Sequence, residues 1–89
     1  MKELHVIVGG GADHYCKNCK QTANNFEKVI AQKFPDLKIK FEHRNITTPE
    51  FIKEFGALMP PCLIIDGTIV HDGSIPTESM IEKAIKHFI

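Results

Sequence analysis

The sequence has no tryptophan, a single tyrosine, three cysteines and no net charge, since eleven Lys and Arg balance eleven Asp and Glu. Zero net charge excludes modes of action that rest on bulk positive charge, such as non-specific nucleic-acid binding or a polybasic membrane anchor. No apolar run exceeds a few residues, far short of the roughly 20 that a membrane-spanning helix needs. Low-complexity tracts are missing and 43% of the 89 residues are hydrophobic, a balance that excludes disorder. Three cysteines are too few, and odd in number, for a secreted disulfide scaffold. Lys2 and Glu3 lead straight into a short run, Leu4 to Val8, instead of the about 7–15 apolar residues of a secretory signal. The chain is therefore expected to be cytoplasmic, where close-spaced cysteines serve redox chemistry or metal ligation. Its length suits one domain over residues 1–89, and no large apolar face is left over, so a monomer is expected.

Leu4 to Val8 is a mostly β-branched run that stops at Gly9-Gly10-Gly11, which predicts a buried strand feeding a flexible loop. Ala23, Phe26, Val29, Ile30 and Phe34 fall on one face of a helix that starts near Cys16–Cys19 and ends before Pro35. Leu37, Ile39 and Phe41 alternate with Lys38, Lys40 and Glu42, the period of a half-buried strand. Thr48-Pro49-Glu50 supplies a cap residue, a proline at the first helical position and an acid in the first turn. The short helix that follows carries Phe51, Ile52 and Phe55 and stops at Gly56. Asp66-Gly67 between Cys62-Leu63-Ile64-Ile65 and Thr68-Ile69-Val70 predicts a hairpin. Thr77 can cap a last helix with Met80, Ile81, Ala84, Ile85 and Phe88 as its apolar stripe. The order is β-α-β-α-β-β-α, an α/β chain with an early parallel strand pair and an antiparallel closing hairpin.

Cys16-Lys17-Asn18-Cys19 carries the chemistry. Two intervening residues let both sulfurs meet across the first turn of a helix and close a small disulfide ring. A helix N-terminus offers partial positive charge and unpaired N–H groups, which stabilise a thiolate. Lys17, Lys20 and a protonated His14 would push the same way. The alternative is that these are two buried cysteines that merely stand three apart. Their place at a strand–loop–helix junction favours a reactive pair, because βαβ redox proteins carry their dithiol there.

With the C-K-N-C motif after the first strand and the segment Pro61-Cys62-Leu63-Ile64-Ile65-Asp66-Gly67, the chain resembles the thioredoxin superfamily. It is similar in size to glutaredoxins and to small glutaredoxin-like thioredoxins. The resemblance spans the whole chain and implies a thioredoxin-like fold: a four-stranded mixed sheet with three flanking helices. It implies that Cys16 is the exposed nucleophile and that Cys19, one turn deeper, resolves the mixed disulfide. It further implies that Pro61 is a cis-proline beside the dithiol, that Tyr15, Pro60 and Pro61 shape the substrate groove, and that neither a cofactor nor a metal takes part. A flavoprotein reductase or a low-molecular-weight thiol would return the electrons.

The departures from that pattern are informative. Tyr15 stands where thioredoxins usually have tryptophan, and Lys17-Asn18 replaces their Gly-Pro. A cation between the sulfurs should favour the thiolate and make the disulfide more oxidising. Thioredoxins carry a buried acid on the strand before the motif; here only Asp13 is acidic, in a loop, so the proton acceptor for Cys19 is left open. Cys62 reads either as a small apolar residue opening a buried strand or as a third thiol near the pair. His5 reads as a packed or edge histidine, and His43, His71 and His87 sit at scattered element ends without ligand spacing. Gly9-Gly10-Gly11 fails as a nucleotide loop because His14 stands where a glycine is required. His71-Asp72-Gly73-Ser74 only loosely matches a glutathione-site run.

The leading expectation is a thiol–disulfide oxidoreductase acting on protein or small-molecule disulfides. A soft-metal site for zinc, copper(I) or iron–sulfur, built from His14, Cys16, Cys19 and Cys62, is the alternative from another class. Metal chaperones with C-x-x-C follow a β-α-β-β-α-β order, however, which lacks the helix at Thr48–Phe55. A redox-inert binding domain is the third possibility. Pro60 has no N–H, so one backbone hydrogen bond that the family makes to a substrate chain cannot form there. Pro60→Ile is expected to lower the Michaelis constant for a protein disulfide in a dithiol-coupled assay; an unchanged constant counts against this account.

Overall fold

Both faces of the first strand are apolar, and a strand of that kind belongs in the middle of a sheet. The computed structural model, which describes residues 3–89, places it there. Strand β1 (Glu3–Gly10) is followed by α1 (Lys17–Lys33), β2 (Lys38–Asn45), α2 (Pro49–Phe55), β3 (Cys62–Ile65), β4 (Thr68–Asp72) and α3 (Glu78–Lys86). The strands form one mixed sheet in the order β2-β1-β3-β4. β1 runs parallel to β2, which α1 makes possible as the crossover, and antiparallel to β3; β3 and β4 form the hairpin. This is the thioredoxin-like β-α-β-α-β-β-α architecture expected from the sequence. Lys2, read as part of the polar lead-in, lies outside the described residues.

Alternation along β1 sorts the core into two layers. Leu4, Val6 and Val8 join Leu63 and Ile65 of β3 against Phe26 and Val29 of α1 and Ile81 and Ile85 of α3. Phe41 of β2 meets Phe26 edge-on, with ring centroids 5.4 Å apart, a favoured aromatic geometry. Ile7 faces the other way and packs with Ile46, Phe51, Cys62 and Ile64. Arg44 fastens α2 to that layer: its Nη1 is 3.0 Å from both carboxylate oxygens of Glu54, and its guanidinium lies 5.2 Å from the Phe51 ring centroid. The hairpin turns at Asp66 and Gly67, both with positive φ (48° and 82°), the conformation that favours Asp-Gly. His5 N–H donates to Asp66 Oδ1 (2.9 Å) and Asp66 N–H donates to His5 O (2.8 Å), tying the turn to the start of β1.

Three boundaries differ from the sequence expectation. β2 begins one residue later, at Lys38, and reaches Asn45; β4 extends to Asp72. The larger correction concerns the glycines. Gly9 and Gly10 are not loop residues but the buried end of β1, paired with Arg44 and Asn45 of β2. Their role is steric rather than conformational. A β-carbon on Gly9 would collide with Cys62 Sγ and come within 2.6 Å of Ile46 Cγ2, while one on Gly10 would lie 2.5 Å from Cys19 Sγ. Glycine in a strand interior marks such a close approach. Gly9→Ala should destabilise the fold by about 1–3 kcal/mol, as overpacking of a filled core does. Adding Cys62→Ala should recover part of the loss in denaturant melts; strict additivity of the two substitutions would contradict the assigned clash.

Candidate active site

Helix α1 opens on the first cysteine of the motif. Cys16 is its N-cap residue, with extended backbone (φ −81°, ψ 173°), and its sulfur accepts from the Cys19 backbone N–H at 3.3 Å. A sulfur here does what an oxygen does in a serine or aspartate cap, satisfying one of the unpaired N–H groups of the first turn. The gain is larger for a thiolate, which also meets the positive end of the helix dipole. Cys19 follows one turn into the helix and is fully buried. The two sulfurs lie 2.8 Å apart within hydrogen-bond contact, and all three cysteines are free thiols.

The two thiols are driven apart in acidity. Cys16 is lowered below the ordinary thiol value, first by its hydrogen bond with the Cys19 thiol; burial opposes this, and the backbone N–H groups around the sulfur add to the lowering. Cys19 is pushed up to about 11, first by burial and then by its hydrogen bond to Cys16. Its sulfur also lies 3.7 Å from the Gly9 carbonyl oxygen, an alternative acceptor for the same S–H. At neutral pH the partly exposed sulfur is therefore the better thiolate and the buried one holds the proton, the division of labour that thiol–disulfide exchange needs.

The remaining candidates are distributed around this pair. The Pro60–Pro61 bond is cis, as the resemblance implied. Cys62 pairs with Gly9 across the β1–β3 ladder; one further step along that register brings Pro61 opposite Gly10, which borders both sulfurs. Pro60 is exposed while Pro61 is buried. The segment is anchored by Gly73 N–H, which donates to the carbonyls of Met59 and Pro61 (3.0 and 3.1 Å). Tyr15 is half-buried beside Cys16 and packs its ring on His43, centroids 4.4 Å apart. Lys17 and His14 are exposed, and neither is among the groups that lower Cys16. The Cys19 thiol first, and then the backbone N–H groups of the first turn, account for that shift.

Cys62 lies on the other side of the sheet. It is fully buried against Ile46, Phe51 and Ile64, and burial pushes its thiol up to about 11. Gly9, which meets Cys62, and Gly10, which meets Cys16 and Cys19, point to opposite faces of β1. The four residues considered for a metal are thus not gathered on one face, and among the described residues no three His, Cys, Asp or Glu side chains are grouped to hold one. The protein-family comparison agrees with the geometry: the thioredoxin domain model matches residues 2–86.

The chain belongs to the thioredoxin-domain family. Among solved structures, a Staphylococcus aureus protein of unknown function superposes with a TM-score of 0.67 at 24% identity, over 97% of this chain and 91% of the other. A malarial protein superposes with a TM-score of 0.57 at 12% identity, over 97% of both chains. At these identities the likeness is one of fold. No curated protein is matched by the sequence.

One residue of this thioredoxin domain departs from its expected place. His43 is not at an element end but inside β2, opposite Val8. Continuing the alternation of Ile39 and Phe41 by one step puts it on the face that carries the dithiol, a signal already present in the pattern. Asp13, the nearest acid before the motif, is instead held by Asn45, whose Nδ2 donates to its carboxylate at 2.9 Å.

These acidities have a direct check in alkylation by iodoacetamide across pH. Since only thiolate reacts and Cys16 is lowered, its rate should reach half-maximum at a pH below that of an ordinary cysteine. Cys19 should stay slow until pH approaches about 11. Cys16→Ser should remove the fast phase, and an unshifted Cys16 profile would contradict stabilisation by the cap.

Proposed function

We propose that this thioredoxin domain is a thiol–disulfide oxidoreductase that reduces protein or small-molecule disulfides with Cys16 and Cys19. The observation that carries the reading is the capping sulfur of Cys16, accessible and lowered in pKa, with a buried, protonated thiol 2.8 Å behind it. The Cys16 thiolate attacks a substrate disulfide, forming a mixed disulfide and releasing one substrate thiolate. Cys19 then attacks Cys16 Sγ, closing the Cys16–Cys19 disulfide and releasing the second. Two electrons pass from the dithiol to the substrate. Tyr15, Pro60 and Pro61 form the wall against which the substrate chain rests. A flavoprotein reductase or a low-molecular-weight thiol restores the dithiol. The chain acts as a monomer in the cytoplasm; no helix among the described residues is long and apolar enough to cross a membrane.

Reduction of insulin disulfides with a small dithiol as donor tests this reading. Cys16→Ser should bring turnover down to background. Cys19→Ser should keep the first attack and accumulate the mixed disulfide, visible by mass spectrometry. Turnover that survives Cys16→Ser would sink the proposal, and stoichiometric metal without turnover, in protein purified without chelator, would favour the metal-binding alternative.

A further inference from the structure

Resolution of the mixed disulfide requires Cys19, which is buried away from bulk solvent, to lose a proton. We propose that His43 is the proton acceptor for Cys19 in that step; the proposal rests on the redox reading above and supplies the base that the sequence left open.

The placement carries the assignment. His43 Nε2 is buried and has no hydrogen-bond partner among the described residues, an arrangement that costs free energy and is found where the atom serves a function. The point a β-carbon on Gly10 would occupy lies 3.2 Å from His43 Nε2, 2.5 Å from Cys19 Sγ and 3.7 Å from Cys16 Sγ. Imidazole and dithiol therefore border the same glycine, with no side chain on that residue to part them. Nε2 makes no direct hydrogen bond to Cys19 Sγ in the resting dithiol, so the proton passes through one bridging water or once the site tightens around substrate, as catalytic contacts of a free enzyme do. Tyr15 packs on the imidazole and fixes its plane.

The groups around His43 keep it neutral. Burial lowers its pKa most; the Asp13 backbone and carboxylate oppose this, and a charged His14 adds to it. Those two residues come from the loop before α1. β2 places His43 opposite Val8 of β1, β1 then offers Gly10, α1 and its cap bring Cys19 and Cys16 to that glycine, and the Tyr15 ring lies on the imidazole. Neutral imidazole can accept a proton at pH 7.

The step balances within the protein and its substrate. In the mixed disulfide, His43 Nε2 takes the proton from Cys19 Sγ. The resulting thiolate attacks Cys16 Sγ, the Cys16–Cys19 bond forms, and the bond from Cys16 to the substrate sulfur breaks. The departing thiolate takes the proton from the imidazolium. Bonding of Cys16 to substrate also removes the hydrogen bond and the charge by which Cys16 raises Cys19, leaving burial as the main obstacle.

A chromogenic aromatic disulfide separates the two steps, because each substrate thiolate released absorbs. With reduced wild-type protein in excess, a first release by Cys16 should be followed by a second that depends on Cys19. His43→Gln should leave the first rate unchanged and slow the second by about 10²-fold, within the range a positioned base contributes. The wild-type second phase should slow as pH falls through the lowered His43 pKa, and His43→Gln should lose that acid limb. In wild-type protein, which removes any question of folding, the His43 ring resonances should show an extra inflection at thiol ionisation in the reduced form and none in the oxidised form. An unchanged second phase and pH profile in His43→Gln, or identical His43 titrations in both redox states, would overturn the proposal. A wild type with no Cys16-dependent first release would instead overturn the redox reading beneath it.

Discussion

The whole arrangement turns on a sulfur standing in for oxygen at the start of a helix. A helix must begin somewhere, and its first N–H groups must find acceptors. Here one of them finds Cys16 Sγ, so the same contact that starts α1 also favours negative charge on that sulfur. Structure and reactivity are not separate demands at this position. The helix gains a cap, the cap gains acidity, and the residue one turn on is carried into the core as its buried counterpart.

That geometry is possible only because β1 ends without side chains. Sulfur is large, and a strand buried on both faces leaves little space for it. Gly9 yields room on the α2 side for Cys62, and Gly10 yields room on the α1 side for Cys19. The end of the central strand is thus thinned where three sulfurs press on it. The sheet keeps its ladder, since glycine still donates and accepts backbone hydrogen bonds, while the side-chain volume is transferred to cysteine.

Most of this fold is legible in the amino-acid sequence. The alternation in residues 37–42, the Thr-Pro-Glu cap, the Asp-Gly turn and the stripe from Met80 to Ile85 are each local signals, and each corresponds to the element expected. Cys16 and Cys19 are legible for the same reason, because spacing and junction are local. What the sequence conceals is non-local. Three glycines in a row resemble a loop, and the contacts that make two of them strand residues, with Cys19, Cys62 and Ile46, exist only once the sheet has formed. His43 has nothing beside it in the chain that hints at Tyr15 or Gly10. Lys17 and His14 are near Cys16 in the chain, yet the partner thiol and then the backbone supply its acidity.

The division of sulfurs between two faces has a bearing on what the oxidised molecule shows to its surroundings. A protein with an odd number of thiols is ordinarily left with one to spare, and a spare thiol at the surface can couple two molecules together. Here the leftover is Cys62, shut beneath Phe51 and Ile46 behind the thickness of a strand. Were the other two to join, the surface would offer no sulfhydryl at all, and oxidation would end in a closed ring within one chain rather than in crosslinked aggregates.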